Sequence, residues 1–194
     1  MDKNVLKFEY ISNDLPDTLL DYPNRDWIVA GIKIMRDQGM HHISIKSICD
    51  GVDKTEQQFL KSFKDLEDFL FAVLDYWYEK ETIAYIDVLN DMVGDARENI
   101  LNLIEILHNA DKRDDVAIRN WALKCPHAMA ALEKVDRTRL DVGVGLFKEM
   151  GFSEKESILR TKFLYSSSIG TEYTSIDVSL DQKIAMCELL MDRS

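Results

Sequence analysis

Apolar side chains recur along the chain at intervals of three and four residues, the spacing that gathers them on one face of an α-helix. From Arg25 onward Trp27, Ala30, Gly31, Ile34 and Met35 make one such face. Gly39 predicts the end of that helix, because glycine tolerates positive φ at a helix C-terminus. Ser44 then caps a short helix that turns Ile45 and Ile48 inward. Asp50-Gly51-Val52-Asp53 is turn material, with Gly51 or Asp53 at positive φ. Thr55 opens a third helix with a capping box, since Gln58 stands three positions on. Phe59 and Phe63, four apart, pack inward and leave Glu56, Gln57, Gln58 and Lys61 outside. Asp65 caps a long helix to about Met92, which at 1.5 Å per residue spans about 40 Å.

The same period continues from Arg97 to Ala110 through Ile100, Leu101, Ile104 and Leu107. Asp111 to Asp115 predict a charged break, with Asp114-Asp115 solvated. Val116, Ile118, Trp121 and Ala122 mark a helix stopped before Pro126. Met129, Leu132, Val135, Leu140, Val144 and Phe147 carry another to Met150, closed by Gly151. Ser153 with Glu156 and Ser179 with Gln182 are further capping boxes, opening helices through Tyr165 and Leu190. Residues 1–23, with Pro16, Pro23 and a weakly patterned KFEYI, read as an extended arm. The pattern predicts an all-α chain: three short helices, then six forming a larger body, without a repeat at solenoid period.

Composition sharpens this picture. Three prolines and eight glycines in 194 residues leave few helix breakers. No apolar run approaches the roughly 18 residues of a membrane span. The N-terminus lacks a basic leader and an apolar signal core, so a soluble, cytoplasmic protein is expected. Cys49, Cys125 and Cys187 are odd in number and far apart, which fits small buried side chains better than a disulfide framework. No Cys or His pair has metal-ligand spacing, and His41 and His42 are adjacent, so neither metal nor cofactor is expected. No nucleophile motif, phosphate loop or spaced acid–base pair points to an enzyme.

The net charge of −11 is unevenly spread. Residues 24–64 hold seven basic and five acidic side chains, a balance of +2, so the remainder carries −13. A near-neutral segment in an acidic chain is the direction expected for a segment that approaches a polyanion.

WIVAGIKIMRDQGMHHISIKSI, the turn, and FLKSFKDLEDFLFAVLDYW resemble the N-terminal DNA-binding module of TetR-family transcriptional regulators. Gly39, Ser44, Ile48, Phe59, Phe63, Lys64 and Leu66 fall in the family register without a gap. AIRNWALKCPHAMAALEKVDRTRLDVGVGLFKEMGF resembles regulatory-domain helices of one branch of that family. The resemblance implies a homodimer with one helix-turn-helix per subunit, pairing through its last two helices. It divides the chain into an arm (1–23), a DNA-binding domain (24–70) and a ligand-binding and dimerisation domain (71–194). The implied function is a ligand-responsive regulator, a repressor, that binds palindromic operator DNA and is released or remodelled by a small molecule. Departures fall at the turn and recognition helix. The family's Gly-Val lands on Asp53-Lys54, its small residue on Gln57, and its phosphate-contacting Tyr and His on Leu60 and Ser62.

With the third helix in a major groove, Gln57 and Gln58 are candidate base readers, because an amide pairs bidentately with adenine. Lys61 reaches guanine or a phosphate, while Ser44, Lys46, Thr55, Ser62 and Lys64 position the backbone. Glu56 opposes phosphate approach but suits the helix dipole. Candidate ligand contacts beyond Lys64 are Tyr76, Trp77, Tyr85, His108, Trp121, Met129 and Tyr165, against the commoner reading of aromatic residues at helical spacing as core. The competing expectation is a dimeric sensor or adaptor that keeps the fold without sequence-specific DNA binding.

Overall fold

A computed structural model of the chain describes residues 17–193. The arm expected over residues 1–23 therefore lies outside the described residues as far as position 16. Its remainder holds a single helical turn, α1 (Asp17–Leu20).

The described residues form two compact units. One comprises residues 17–85 and 112–136, the other 86–111 and 137–193. In the first, α2 (Arg25–Gln38) ends at Gly39, whose φ of 94° and ψ of 158° suit glycine. These values lie outside the left-handed helical well predicted for that position. A 3₁₀ turn, Met40–His42, leads to α3 (Ile45–Val52) and α4 (Glu56–Ser62). α5 (Leu66–Tyr78) follows, then α8 (Arg113–Ala122) and the first half of α9 (Pro126–Glu149). α2 packs on α3, α5 and α8.

The core of this unit is aromatic. Phe59 lies 5.5 Å from Trp27, 5.1 Å from Phe63 and 5.6 Å from Phe69 between ring centroids. Phe63 meets Phe69 edge to face at 5.1 Å. Such ring pairs add about 0.5–1.5 kcal/mol each beyond the area they bury. Gly31 permits the close approach of α2 to this cluster, because a Cβ there would stand 2.5 Å from Phe69 Cζ.

The long helix predicted after Asp65 remains helical but is not one regular rod. Five residues, Glu79–Ile83, form a π-turn between α5 and α6 (Ala84–Asp91). Such a widened turn re-phases the side chains on either side of it. The predicted break at Asp111–Asp115 is also shorter, because Asp114 and Asp115 belong to the first turn of α8.

The second unit contains α7 (Ala96–Asn109), the rest of α9, α10 (Glu154–Thr171) and α11 (Leu180–Met191). α11 packs on α7 and α10. Ile100, Ile104, Phe147, Phe152, Cys187 and Met191 form its buried core. The Arg160 guanidinium stacks 4.0 Å from the Phe152 ring, and the same side chain donates to the Leu190 carbonyl. Ser153 and Ser179 cap α10 and α11 through reciprocal boxes with Glu156 and Gln182. α10 runs past Tyr165, the end predicted for it, to Thr171.

Candidate nucleic-acid interface

Two short helices, α3 and α4, carry the polar residues singled out in the sequence, and local hydrogen bonds fix both. Ser44 Oγ accepts the Ser47 amide at 3.1 Å, and Ser47 Oγ accepts the Ser44 amide at 2.9 Å. Thr55 Oγ1 accepts from Gln58 N at 3.3 Å, while Gln58 Oε1 accepts from Thr55 N at 2.8 Å. Each cap satisfies amides that the first helical turn leaves without a partner and contributes about 1 kcal/mol.

The turn keeps the ungapped register. Asp53, where the family glycine falls, is left-handed at φ 53°, ψ 47°, and its amide closes α3 onto the Cys49 carbonyl. Asp tolerates this region better than most residues with a Cβ. Gly51 sits inside the last turn of α3, where a Cβ would make ordinary contact with Ala30 at 3.4 Å.

Phe59 and Phe63 anchor α4 to the aromatic core and thereby set which face is outside. Glu56, Gln57, Leu60 and Lys61 lie on that exposed face. Gln58 is exposed too, but its side-chain oxygen is committed to the cap. Ser44, Lys46 and Thr55 are exposed, and Ser62 is half-buried. Lys64 has an exposed side chain, while its amide donates to Asp68 Oδ2 at 3.0 Å. Lys54 is tied inward, 3.6 Å from Asp26 and 5.2 Å from the centroid of Trp27. The exposed leucine on this face is a feature that a search for polar readers passes over.

The seven candidate ligand residues divide between the units. Tyr76, Trp77, Tyr85, Trp121 and Met129 belong to the first, His108 and Tyr165 to the second. Tyr76 is buried against Tyr22, with ring centroids 5.0 Å apart. Trp121 is buried, while Tyr85, His108, Met129 and Tyr165 are half-buried. The Arg139 guanidinium donates to Tyr165 Oη at 3.5 Å. Trp77 Nε1 and His108 Nδ1 are buried atoms without a hydrogen-bond partner among the described residues. Unsatisfied buried polar atoms are rare in folded proteins, so both invite a ligand or water.

A partly buried charge network in the first unit escaped sequence reasoning. Lys80 Nζ of the π-turn contacts Glu81 at 2.9 Å and Asp114 at 3.0 Å, and Arg36 of α2 donates to Asp114 at 3.3 Å. Asp115 is buried rather than solvated, bound to Arg119 at 2.6 Å; Arg119 also holds Asp136 at 2.9 Å. Burial opposes the Lys80 charge. Attraction and hydrogen bonds from Glu81 and Asp114 outweigh that penalty and raise its pKa above the usual lysine value. Among the described residues no cluster of three His, Cys, Asp or Glu side chains is arranged to hold a metal ion. Nor is any described helix long and apolar enough to cross a membrane.

No protein-family model matches the sequence, and no curated protein matches it. Solved structures do match the fold: an all-α chain with a helix-turn-helix module. The TetR/AcrR-family transcriptional regulator of Thermobifida fusca YX-ER1 is 19% identical, with TM-score 0.64 over 91% of this chain and 98% of its own. A TetR-like transcriptional regulator from Rhodococcus sp. RHA1 is 11% identical, with TM-score 0.66 over 86% and 92%. The fatty acid degradation regulator FadR of Bacillus halodurans is 12% identical, with TM-score 0.64 over 86% and 93%. The chain has a TetR-like fold.

Proposed function

We propose that this chain is a cytoplasmic transcriptional regulator, acting as a repressor, that binds palindromic operator DNA as a homodimer and responds to a small molecule. The observation that carries this reading is the outward face of α4. Gln57 and Lys61 stand one helical turn apart on a helix capped by Thr55 and anchored by Phe59 and Phe63. In the proposed division, residues 24–70 contact DNA and residues 71–194 serve ligand binding and dimerisation. Gln57 reads a base edge, and Lys61 reaches a base or a phosphate. Ser44, Lys46, Thr55, Ser62 and Lys64 hold the backbone, while Gln58 contributes mainly through its cap. Exposed Leu159 and Phe163 on α10 and Leu189 on α11 support pairing through the last two helices. The unpartnered Trp77 nitrogen, taken within its own unit, supports a ligand with a hydrogen-bonding group.

Few basic side chains face outward here, so fewer counterions are released and the salt dependence of binding is shallow. Affinity then depends on engaging two half-sites together. Selection of bound sequences from random duplex DNA, followed by titration of the Gln57→Ala variant, tests the reading. A palindrome that is enriched and then lost in the variant is the expected result. A folded dimer that enriches nothing at low salt favours the rival, a TetR-like sensor or adaptor without sequence-specific DNA binding.

A further inference from the structure

Resting on the DNA-binding reading above, we infer that Leu60 is a specificity-determining residue that recognises the 5-methyl group of thymine. The side chain is 55% exposed in the middle of α4. At 100° per residue it lies between Glu56 and Gln57 on the outer face, turned about 100° from the buried Phe59 and about 60° from Phe63. Lys61 flanks it one position on. Gln58 is drawn away into the cap with Thr55. The face therefore offers one free amide, one ammonium, one carboxylate and, among them, one branched apolar group.

The chemistry of this set is selective. In the major groove thymine alone among the four bases presents an apolar group, and an amide pairs best with the N6 and N7 of adenine. Leu60 and Gln57 stand three residues apart, so they reach neighbouring base-pair edges. The pair favours A·T steps within each half-site. The balance of +2 over residues 24–64, against −13 for the rest of the chain, favours this segment as the one that meets a polyanion. Removing one methyl from water has a defined worth, which sets the effect at about fourfold in affinity per thymine. Two half-sites bring it to on the order of tenfold or more.

The test uses the full chain and two random duplex pools of identical design, one made with thymidine and one with deoxyuridine, which lacks only the methyl. Duplexes enriched from the first pool are titrated again with deoxyuridine at each thymine of the half-site. The expected result is an about fourfold loss at one thymine per half-site, and no such difference for the Leu60→Ser variant. Leu60 is exposed, so that variant retains its fold, checked by circular dichroism and dimer mass. Equal binding of thymidine and deoxyuridine duplexes overturns the role of Leu60 and leaves the DNA-binding reading standing. A methyl preference that survives Leu60→Ser also overturns it. Failure of the folded dimer to bind any duplex overturns both readings.

Discussion

Lys80 Nζ lies 3.0 Å from Asp114 Oδ2, and this contact ties the π-turn of the long helix to the first turn of α8. The other oxygen of Asp114 takes a hydrogen bond from Arg36 near the end of α2. One carboxylate thus holds two cations from two further segments. The lysine side chain is 25% exposed and the aspartate 17%, so water screens the pair only in part.

Asp114→Asn removes the charge while keeping the shape, and should lower stability by about 1–3 kcal/mol, read as a shifted urea midpoint. The pH dependence follows from the raised pKa of Lys80. A raised lysine contributes its full stabilisation below the unfolded lysine value of about 10.4 and loses it as pH rises through the higher folded value. The gap between wild type and Lys80→Met should therefore be level from neutrality to about pH 10 and shrink above it. A gap that closes already near neutrality would assign the effect to another group.

Gly31 leaves no room for a larger residue. A Cβ there would meet Phe69 at 2.5 Å and 2.9 Å, and that ring is fully buried between Phe59 and Phe63. Gly31→Ala should destabilise by about 1–3 kcal/mol despite the better helix propensity of alanine. Gly31→Ala combined with Phe69→Leu should cost less than the two changes added separately, because the smaller side chain makes the space. Strict additivity in denaturant unfolding would contradict the close approach.

The two glutamines of α4 should separate cleanly. Gln58→Ala removes the oxygen that accepts from the Thr55 amide and should cost about 0.5–1 kcal/mol of stability. Gln57→Ala touches no internal partner and should stay within about 0.5 kcal/mol of wild type. Thermal melts of both variants check this. Equal losses would mean that the cap is not what holds Gln58.

Why some of these features could be read from sequence and others not follows from their range. Ser44, Thr55, Asp65, Ser153 and Ser179 each cap a helix through an amide three residues away, so a short window contains the whole interaction. The inward set of α4 was equally legible from the spacing of Phe59 and Phe63. The π-turn was not: Lys80 meets Asp114 across 34 residues, and no periodicity reveals that contact. Asp114-Asp115 looked solvated for the same reason, since Arg36, Lys80 and Asp136 reach the network only through tertiary packing. In the turn, the residue types left Gly51 and Asp53 both open as the positive-φ position. The extent of α3 decides for Asp53.

The three thiols should differ in reactivity. Cys187 sits in the core of the second unit, and burial pushes its pKa up to about 11. Cys49 is buried as well and is raised first by burial, then by Glu56 and Asp50. Cys125 is only half-buried. Because the neutral thiol of Cys187 is favoured in the fold, its contribution is complete below the unfolded cysteine value of about 8.5 and lost as pH rises toward 11. A disulfide reagent at neutral pH should titrate Cys125 quickly and the other two only after denaturation. Rapid modification of Cys187 in the native chain would contradict its placement.

The exposed apolar face of α10 and α11 gives the most direct check on assembly. Phe163 is 61% exposed and Leu189 74%, with Leu159 one turn from Phe163 on the same helix. Large apolar side chains left exposed on two helices that pack together suit an interaction site. In a two-fold dimer each substitution enters the interface twice, so its cost doubles. Burying a phenylalanine is worth about 1.5–3 kcal/mol. Phe163→Glu should therefore weaken association by on the order of a hundredfold or more, while leaving helical content unchanged because the side chain does not belong to the subunit core. Sedimentation equilibrium across a concentration series reads the shift from dimer to monomer. Binding to a palindrome should fall with it, since a lone subunit presents only one α4. A variant that stays dimeric at every concentration would place the subunit contact on another face.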